Sequence, residues 1–365
     1  MEVPLRTMPS NGKGSRMSID SQVARLRRRL SRWRLEPAAR GQARSLGRQS
    51  ASTDETSQLP TSQWYRGYSD DDLSVFDGFP PVPGKSQSGF IVDFLGVRTR
   101  VAHAAPFAGF DGKVFSTPVP VGDWFHAETI EYVGLLKCVV TAKDRFVALE
   151  LGAGWGPWLV SGAKAARRRG ITDIRLHGIE GDPEHFASMQ THFRDNGLDP
   201  AAHRLDNAAV GVTAGRARWP KSANPSADFA LRPLVPSGED ASEARDATTS
   251  DYRGAIFDGY IDVEMFSLQS VLERESQWDL VHIDVQGGET ELCSAAVETL
   301  NQRVRWLIIG THSRKIDGDL IDLFLRNGWI LENEKPARFE FRVEAPSLEA
   351  MTVVDGTQVW RNPRH

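Results

Sequence analysis

Hydrophobic positions follow two alternating rhythms along this chain. From about residue 145, short apolar runs recur at 146–151, 174–180, 203–210, 260–264, 278–284, 306–310 and 329–333. Each is too short for a helix and is bounded by glycine or polar turn residues, so each predicts a strand. Between them the apolar spacing shifts to three and four, which predicts helices over 157–169, from Asp182 to Asn196, and over 267–275, 288–300 and 317–327. Asp182 followed by Pro183 reads as an N-cap and first helical position, and Asn196-Gly197 as a stop. Such alternation predicts an α/β domain with a mainly parallel sheet and helices on both faces. Asp355-Gly356 carries a type I′ hairpin signal and predicts an antiparallel pair at the C-terminal end.

Upstream the pattern is different. Ser69-Asp-Asp-Asp72 opens a short helix through Phe76. Strands are expected on either side of Gly96 within 90–101 and again at 114–121. A helix is expected over 126–140, with Ile130, Val133, Leu136 and Val140 on one stripe. This divides the chain into a basic arm and linker (1–62), an N-terminal cap (63–141) and a main domain (142–365). Residues 213–258 show no clear period and are too long for an ordinary connection, so part is expected to form a loop over the active site.

Charge sharpens the division. Among residues 1–50, eleven arginines and one lysine stand against Glu2, Asp20 and Glu36, a net +9 that leaves −13 for the rest of a chain whose total is −4. An acidic globule does not attract nucleic acid over its whole surface. Only the arm is basic, and Val23, Leu26, Leu30 and Trp33 give part of it an amphipathic helical spacing. A solvated, disordered leader is the expected reading, with a contact to a membrane surface or an acidic partner as the alternative. No run approaches the ~18 apolar residues of a transmembrane helix, and no signal-peptide core is visible near Met1. Cys138 and Cys293 give neither a disulfide framework nor a zinc spacing. The expected compartment is the cytoplasm.

The first strong strand runs into Gly152-Ala-Gly-Trp-Gly156. Glycines there let the backbone turn sharply and approach a ligand where a Cβ would collide. Dinucleotide-binding loops are spaced G-x-G-x-x-G, and here Pro157 holds the third glycine's place, which argues against a nicotinamide cofactor. Glu150, just before the loop, suits a cationic ligand better than a pyrophosphate. Ligands of open α/β sheets bind outside the carboxyl ends of the strands. Those ends carry Glu150, Glu180, Asn207, Asp284 and, just past Gly310, His312. Glu180 lies 24 residues beyond Gly156, where an acid accepts both hydroxyls of a ribose. Asp284 and His312 are the candidates for a general base. His282 shares a strand face with Asp284, but the spacing is not that of a metal site and no metal is assigned.

The pattern Glu150-Leu-Gly-Ala-Gly-Trp-Gly156 resembles motif I of the class I S-adenosylmethionine-dependent methyltransferases. With Gly178-Ile-Glu-Gly-Asp-Pro183, Asn207-Ala-Ala-Val-Gly211 and His282-Ile-Asp-Val-Gln-Gly-Gly-Glu289, it resembles the FkbM-type family over roughly 146–335. That family shows Ile-Asp-Val-Glu-Gly-x-Glu where this chain has Gln286. The resemblance implies a class I, Rossmann-like methyltransferase fold with S-adenosylmethionine as donor. It also implies a hydroxyl acceptor on a saccharide or small natural product. It places Glu150, Gly152, Ala153, Gly154, Trp155, Gly156, Glu180, Asn207, Ala208 and Asp284 at the cofactor. Gly152 to Trp155 would run beneath its methionine part and Glu150 would lie near its positive charge, although Trp155 reads equally as core. A nicotinamide oxidoreductase and a non-catalytic S-adenosylmethionine-binding module are the competing readings. Methylation of nucleobase amines is disfavoured, because Asp284-Val-Gln-Gly287 stands where an Asn/Asp-Pro-Pro-aromatic segment would be.

Overall fold

Strands β3 (Arg145–Leu151), β4 (Asp173–Glu180), β8 (Trp278–Ile283) and β9 (Val304–Thr311) form the middle of the sheet and are covered on both faces. That is why they read as nearly unbroken apolar runs. The computed structural model describes residues 66–115, 128–222, 224–234, 259–345 and 347–365. The remaining strands are β1 (Phe90–Val92), β2 (Arg98–Arg100), β5 (Arg204–Gly211), β6 (Gly215–Pro220), β7 (Tyr260–Ser267), β10 (Ile330–Lys335), β11 (Arg338–Phe339), β12 (Thr352–Val354) and β13 (Gly356–Arg361).

Among the described residues nine strands make the main sheet, in the order β10-β13-β9-β8-β3-β4-β5-β7-β6. β3 pairs in parallel with both β4 and β8, so the winding reverses at β3. A crevice opens at such a switch point, outside the carboxyl ends of the strands. β5–β7 and β8–β9 are also parallel, while β13 runs antiparallel between β9 and β10. This is the class I methyltransferase arrangement implied by the motifs: a mostly parallel sheet, helices on both faces and an antiparallel pair of C-terminal strands.

The period of two along each strand sorts the core. Phe146, Ala148, Leu176, Leu280 and Ile308 face helices Thr129–Thr141, Pro157–Arg168 and Pro183–Asp195. Val147, Leu149, Val281, Leu307 and Ile309 face the opposite layer, with helices Leu268–Leu272, Glu289–Ala295, Val297–Arg303 and Arg314–Arg326. Helix Thr129–Thr141 packs on β9, β10 and β13. At Gly134 in that helix, a Cβ would come within 2.8 Å of Val359, so glycine is what lets helix and sheet approach there.

Four expectations differ from the structure. Asp355-Gly356 makes no hairpin: β12 pairs with β11, whereas β13 joins β9 and β10, so the chain passes from one sheet to the other at this dipeptide. The helix expected over 288–300 is broken at Ala296, whose φ of −111° and ψ of 11° leave the helical region. Within 213–258, Gly215–Pro220 forms a strand paired with β7, with Ala217 and Trp219 turned inward. Val140 is exposed at the helix end rather than on the buried stripe. The basic arm, the strand expected beyond Val114 and residues 235–258 of the expected active-site loop lie outside the described residues. No helix among the described residues is long and apolar enough to cross a membrane.

Candidate functional site

A cavity of about 700 Å³ occupies the switch point. Its floor is the glycine loop. Gly152, Gly154 and Gly156 have φ of 68°, 53° and 71°, a left-handed backbone that side chains resist. The need is sharpest at Gly152, where a Cβ would stand 1.9 Å from the Asp284 carbonyl oxygen. The ends of β3 and β8 can therefore meet only if this residue is glycine. A Cβ on Gly154 would meet nothing within 4 Å. The loop is tied to the end of β4 by the amides of Gly152 and Ala153, which donate to the Ile179 carbonyl at 3.0 and 3.1 Å.

Glu180 is buried and lines the cavity. Its Oε2 accepts from the Gly154 amide and its Oε1 from the Asp182 amide, both at 2.7 Å. Each oxygen has a second lone pair, so the carboxylate can still take two hydroxyl donors. Burial raises its pKa above the usual carboxylate value, against the pull of His185 and the two amides. Asn207 does not line the cavity. Its side-chain amide donates to the carbonyls of Glu180 (2.8 Å) and Gly181 (3.2 Å), which fixes the turn that presents Glu180. Gly156 also lies off the cavity, at the start of helix Pro157–Arg168 beneath Met189 and Phe193. Ala153, Trp155 and Ala208 are on the wall.

Glu150 lines the cavity but turns toward the protein. It accepts from the amides of Leu159 (3.1 Å) and Trp158 (3.4 Å), two of the orphan donors of that helix's first turn. Burial pushes its pKa up to about 8 despite these amides and His282. His282, opposite Glu150 in the β3–β8 register, has its Nε2 3.4 Å from Glu131 Oε1. Burial disfavours a charge on this imidazole, but Glu131 and Glu150 raise its pKa above the ordinary histidine value. His282 therefore pairs with Glu131.

Asp284, one residue past β8, puts its side chain on the cavity wall with 39% of it exposed. Gln286, at a φ of 60°, folds back so that its Nε2 donates to Asp284 Oδ1 at 2.8 Å. An ionised glutamate at this position would set a carboxylate against a carboxylate, whereas the neutral amide of Gln286 suits an ionised Asp284. His312 lies behind Asp284, 1% exposed and off the cavity, so it does not face an acceptor directly. Its Nε2 is 3.3 Å from Asp284 Oδ1, an ion-pair contact without hydrogen-bond alignment, and its Nδ1 donates to Glu289 Oε1 at 2.9 Å. Burial opposes a charge on His312, but Glu289 and Asp284 outweigh it and hold the imidazole well above its ordinary pKa. Burial likewise opposes ionisation of Asp284, and His312 reverses this, leaving the carboxyl below its usual value. Ligand-type atoms of Asp284, Glu289 and His312 lie within 4.8 Å of one another, and the contacts they make are proton-sharing or ionic.

Aromatic side chains close the other wall. Trp155 meets Phe107 and Phe229 edge-on, with centroids 5.3 and 5.4 Å away. Phe229 stacks on His185 at 4.4 Å, and His185 Nε2 donates to the Pro225 carbonyl at 2.8 Å, so the 224–234 segment is fastened across the cavity. Trp219 of β6 lies over Gly181, where a Cβ would reach within 2.3 Å of its ring. Glu131, His185, Trp219, Phe229 and Glu289 were not among the sequence candidates. Signals existed for two of them: Glu131 is the one acid in a mostly apolar helix, and Arg216-Ala-Arg-Trp219 alternates with period two.

No family model matches the chain. A protein of Jannaschia sp. (strain CCS1) named "Putative methyltransferase" is 30% identical over 278 residues, which span 75% of this chain and 93% of that protein. Among solved structures, precorrin-6y C5,15-methyltransferase from Geobacter metallireducens GS-15 is similar over 65% of this chain and 89% of its own, at 11% identity and a TM-score of 0.34. Methyltransferase FkbM from Methylobacillus flagellatus KT is similar over 61% of this chain and 45% of its own, at 13% identity and a TM-score of 0.36.

Proposed function

The chain belongs to the methyltransferase family of its Jannaschia relative, and from that premise we propose an S-adenosylmethionine-dependent O-methyltransferase whose acceptor is a hydroxyl of a saccharide or small natural product. The observation that carries this reading is that the glycine loop, Glu180 and Asp284 line a single cavity at the switch point. When bound, S-adenosylmethionine supplies an electrophilic methyl group on a sulfonium. Glu180 would hold the ribose hydroxyls through the lone pairs its two amide contacts leave free. The stretch from Gly152 to Gly154 on the cavity floor would support the methionine part, with open space before Gly154. Apolar walls at Trp155, Phe229 and Trp219 exclude water from the transfer.

Asp284 is the group that meets the acceptor. Its ionised carboxylate accepts the acceptor's O–H and receives the proton as the oxygen forms its new bond to carbon. His312 acts from behind by keeping that carboxylate charged. Most of the acceleration comes from alignment, since a sulfonium needs little further activation. The segment Ile283-Asp284-Val-Gln-Gly-Gly-Glu289 supports the finer affiliation with the FkbM type. The buried thiols Cys138 and Cys293 fit a reducing compartment such as the cytoplasm.

The test is mass spectrometry of ligand that co-purifies with the protein, followed by an acceptor screen with methyl-labelled donor. S-adenosylmethionine or its demethylated product should be found, and label should enter a hydroxyl as an ether. Label in an amine or a carbon, or retention of a nicotinamide nucleotide instead, would refute the proposal.

A further inference from the structure

We propose that Glu289 is a positioning residue of the transfer site: through the His312 imidazole it fixes the orientation and charge of the Asp284 carboxylate. The inference rests on the reading of Asp284 as the group that faces the acceptor. Glu289 is fully buried at the start of helix Glu289–Ala295, away from the cavity. Its Oε1 accepts three donors, His312 Nδ1 at 2.9 Å, Gly287 N at 3.0 Å and Val285 N at 3.2 Å. Its Oε2 has no hydrogen-bond partner and no solvent. A carboxylate in that position needs a compensating charge, and the imidazole against it is the group that can supply one.

The geometry gives this pairing a direction. A carboxylate only accepts, so Nδ1 carries a proton and Nε2 is left for Asp284. Were Nε2 unprotonated, its lone pair would stand 3.3 Å from Asp284 Oδ1 and repel it. With a proton on both nitrogens the ring bridges two carboxylates. Gly310 makes room for the arrangement, since a Cβ there would come within 3.3 Å of Asp284 Cγ. Thr352 anchors the other side of His312 by donating its hydroxyl to the His312 carbonyl at 2.7 Å. Glu289 also ties down the backbone of Val285 and Gly287, so one side chain shapes both the loop after Asp284 and the charge behind it.

Other titratable groups act on the same trio. Asp317, from helix Arg314–Arg326, senses His312, and Cys293 on Glu289's own helix senses Glu289. His282 and Glu150, from the neighbouring positions of β8 and β3, are coupled electrostatically to Asp284. In the transfer step the acceptor's O–H bond breaks with its proton passing to Asp284. The oxygen's electron pair forms the O–CH3 bond, and the S–CH3 bonding pair stays on the departing sulfur.

The experiment is an imidazole ¹⁵N NMR titration of the full chain and of Glu289→Gln, which keeps an acceptor oxygen but loses the charge. Wild-type His312 should be protonated on both nitrogens at neutral pH, and its midpoint should fall by about one pH unit or more in Glu289→Gln. S-adenosylhomocysteine affinity, read by calorimetry, should change by less than about threefold, because the amide oxygen of Glu289→Gln can still accept from Val285 and Gly287, which line the cavity. In a second variant, His312→Gln, the Asp284 carboxyl should titrate higher by ¹³C NMR, which keeps the test available if Glu289→Gln folds poorly. An unchanged His312 midpoint in Glu289→Gln, or an unchanged Asp284 midpoint in His312→Gln, would overturn the proposal. So would saturable binding of Mg²⁺ or Zn²⁺ that Glu289→Gln abolishes, since the trio would then serve a cation. Full turnover in Asp284→Asn would instead refute the underlying reading of Asp284 while leaving the Glu289–His312 coupling intact.

Discussion

At the glycine-loop end of the cavity the contacts are made by backbone: amides of residues 152–154 and 182 grip Ile179 and Glu180. At the Asp284 end the contacts are made by charge. Asp284 and His312 follow the carboxyl ends of two neighbouring parallel strands and Glu289 starts a helix, so that one partly exposed and one buried carboxylate meet one imidazole. In the first arrangement neutral amides hold one buried carboxylate, and burial still raises the pKa of Glu180 against their pull. The second depends on each charge keeping its partner, since an unpaired charge in a dry site is costly. We read the first as a rigid seat for a constant cofactor and the second as the tunable part that handles the acceptor's proton.

Substitutions at the two ends should therefore fail differently. The largest effect is expected from Asp284→Asn, which removes the base but not its volume. Turnover measured with labelled donor should fall about 10²–10⁴-fold. Retained S-adenosylhomocysteine binding in this variant would keep the two ends distinct, whereas a parallel loss of binding would show that Asp284 also touches the cofactor.

At the backbone end the damage should appear in stability first. Gly152→Ala forces a left-handed alanine into the Asp284 carbonyl, and should cost about 2–4 kcal/mol from strain and overlap together. Gly154→Ala, with open space before it, should cost only about 1 kcal/mol. Chemical denaturation of both variants checks the contrast, and equal losses would contradict it.

Outside both ends, His103 offers a buried imidazole with no carboxylate of its own in hydrogen-bond contact. Burial lowers its pKa to about 4. The unfolded chain takes up this proton near pH 6.5, so stability should hold above pH 6.5 and fall as the pH drops toward 4. One group with this shift contributes up to about 3 kcal/mol over that window. His103→Asn should flatten that part of the stability profile, and an unchanged profile would remove His103 as its source. The smallest effect is expected from deleting residues 1–61. Their composition gives little to a core, so a chain beginning at Ser62 should melt with the full chain and bind the same ligands.

The two ends also differ in how far the sequence discloses them. The glycine loop, Glu150 and the Glu180 turn are contiguous segments with local rules, and their strands and caps were legible within a residue or two. Asp182 and Pro183 start their helix as their chemistry requires. Local rules misled at Asp355-Gly356, because turn propensity says nothing about which sheet the next strand joins. Asp284 and His312 could be proposed from their strand ends, but not that one stands behind the other. That depends on how β8 and β9 are staggered, and on the break at Ala296 that sets helix Glu289–Ala295. Glu289 stood inside a recognised motif without a role, because its partner lies 23 residues away. The strand Gly215–Pro220 was hidden among prolines and serines, although its period of two was present.

The central claim is that the cavity is a seat for S-adenosylmethionine with Glu180 as the ribose anchor. Calorimetric titration with S-adenosylhomocysteine tests it most directly, in the wild type and in a Glu180→Ala variant whose melting temperature has been matched. The wild type should bind with a Kd in the micromolar range or tighter, about 8 kcal/mol or more of binding free energy. Glu180→Ala should lose about 10- to 100-fold of that affinity, as two charge-assisted hydrogen bonds disappear. Absence of wild-type binding at millimolar ligand, or equal affinity in the two proteins, would contradict the account.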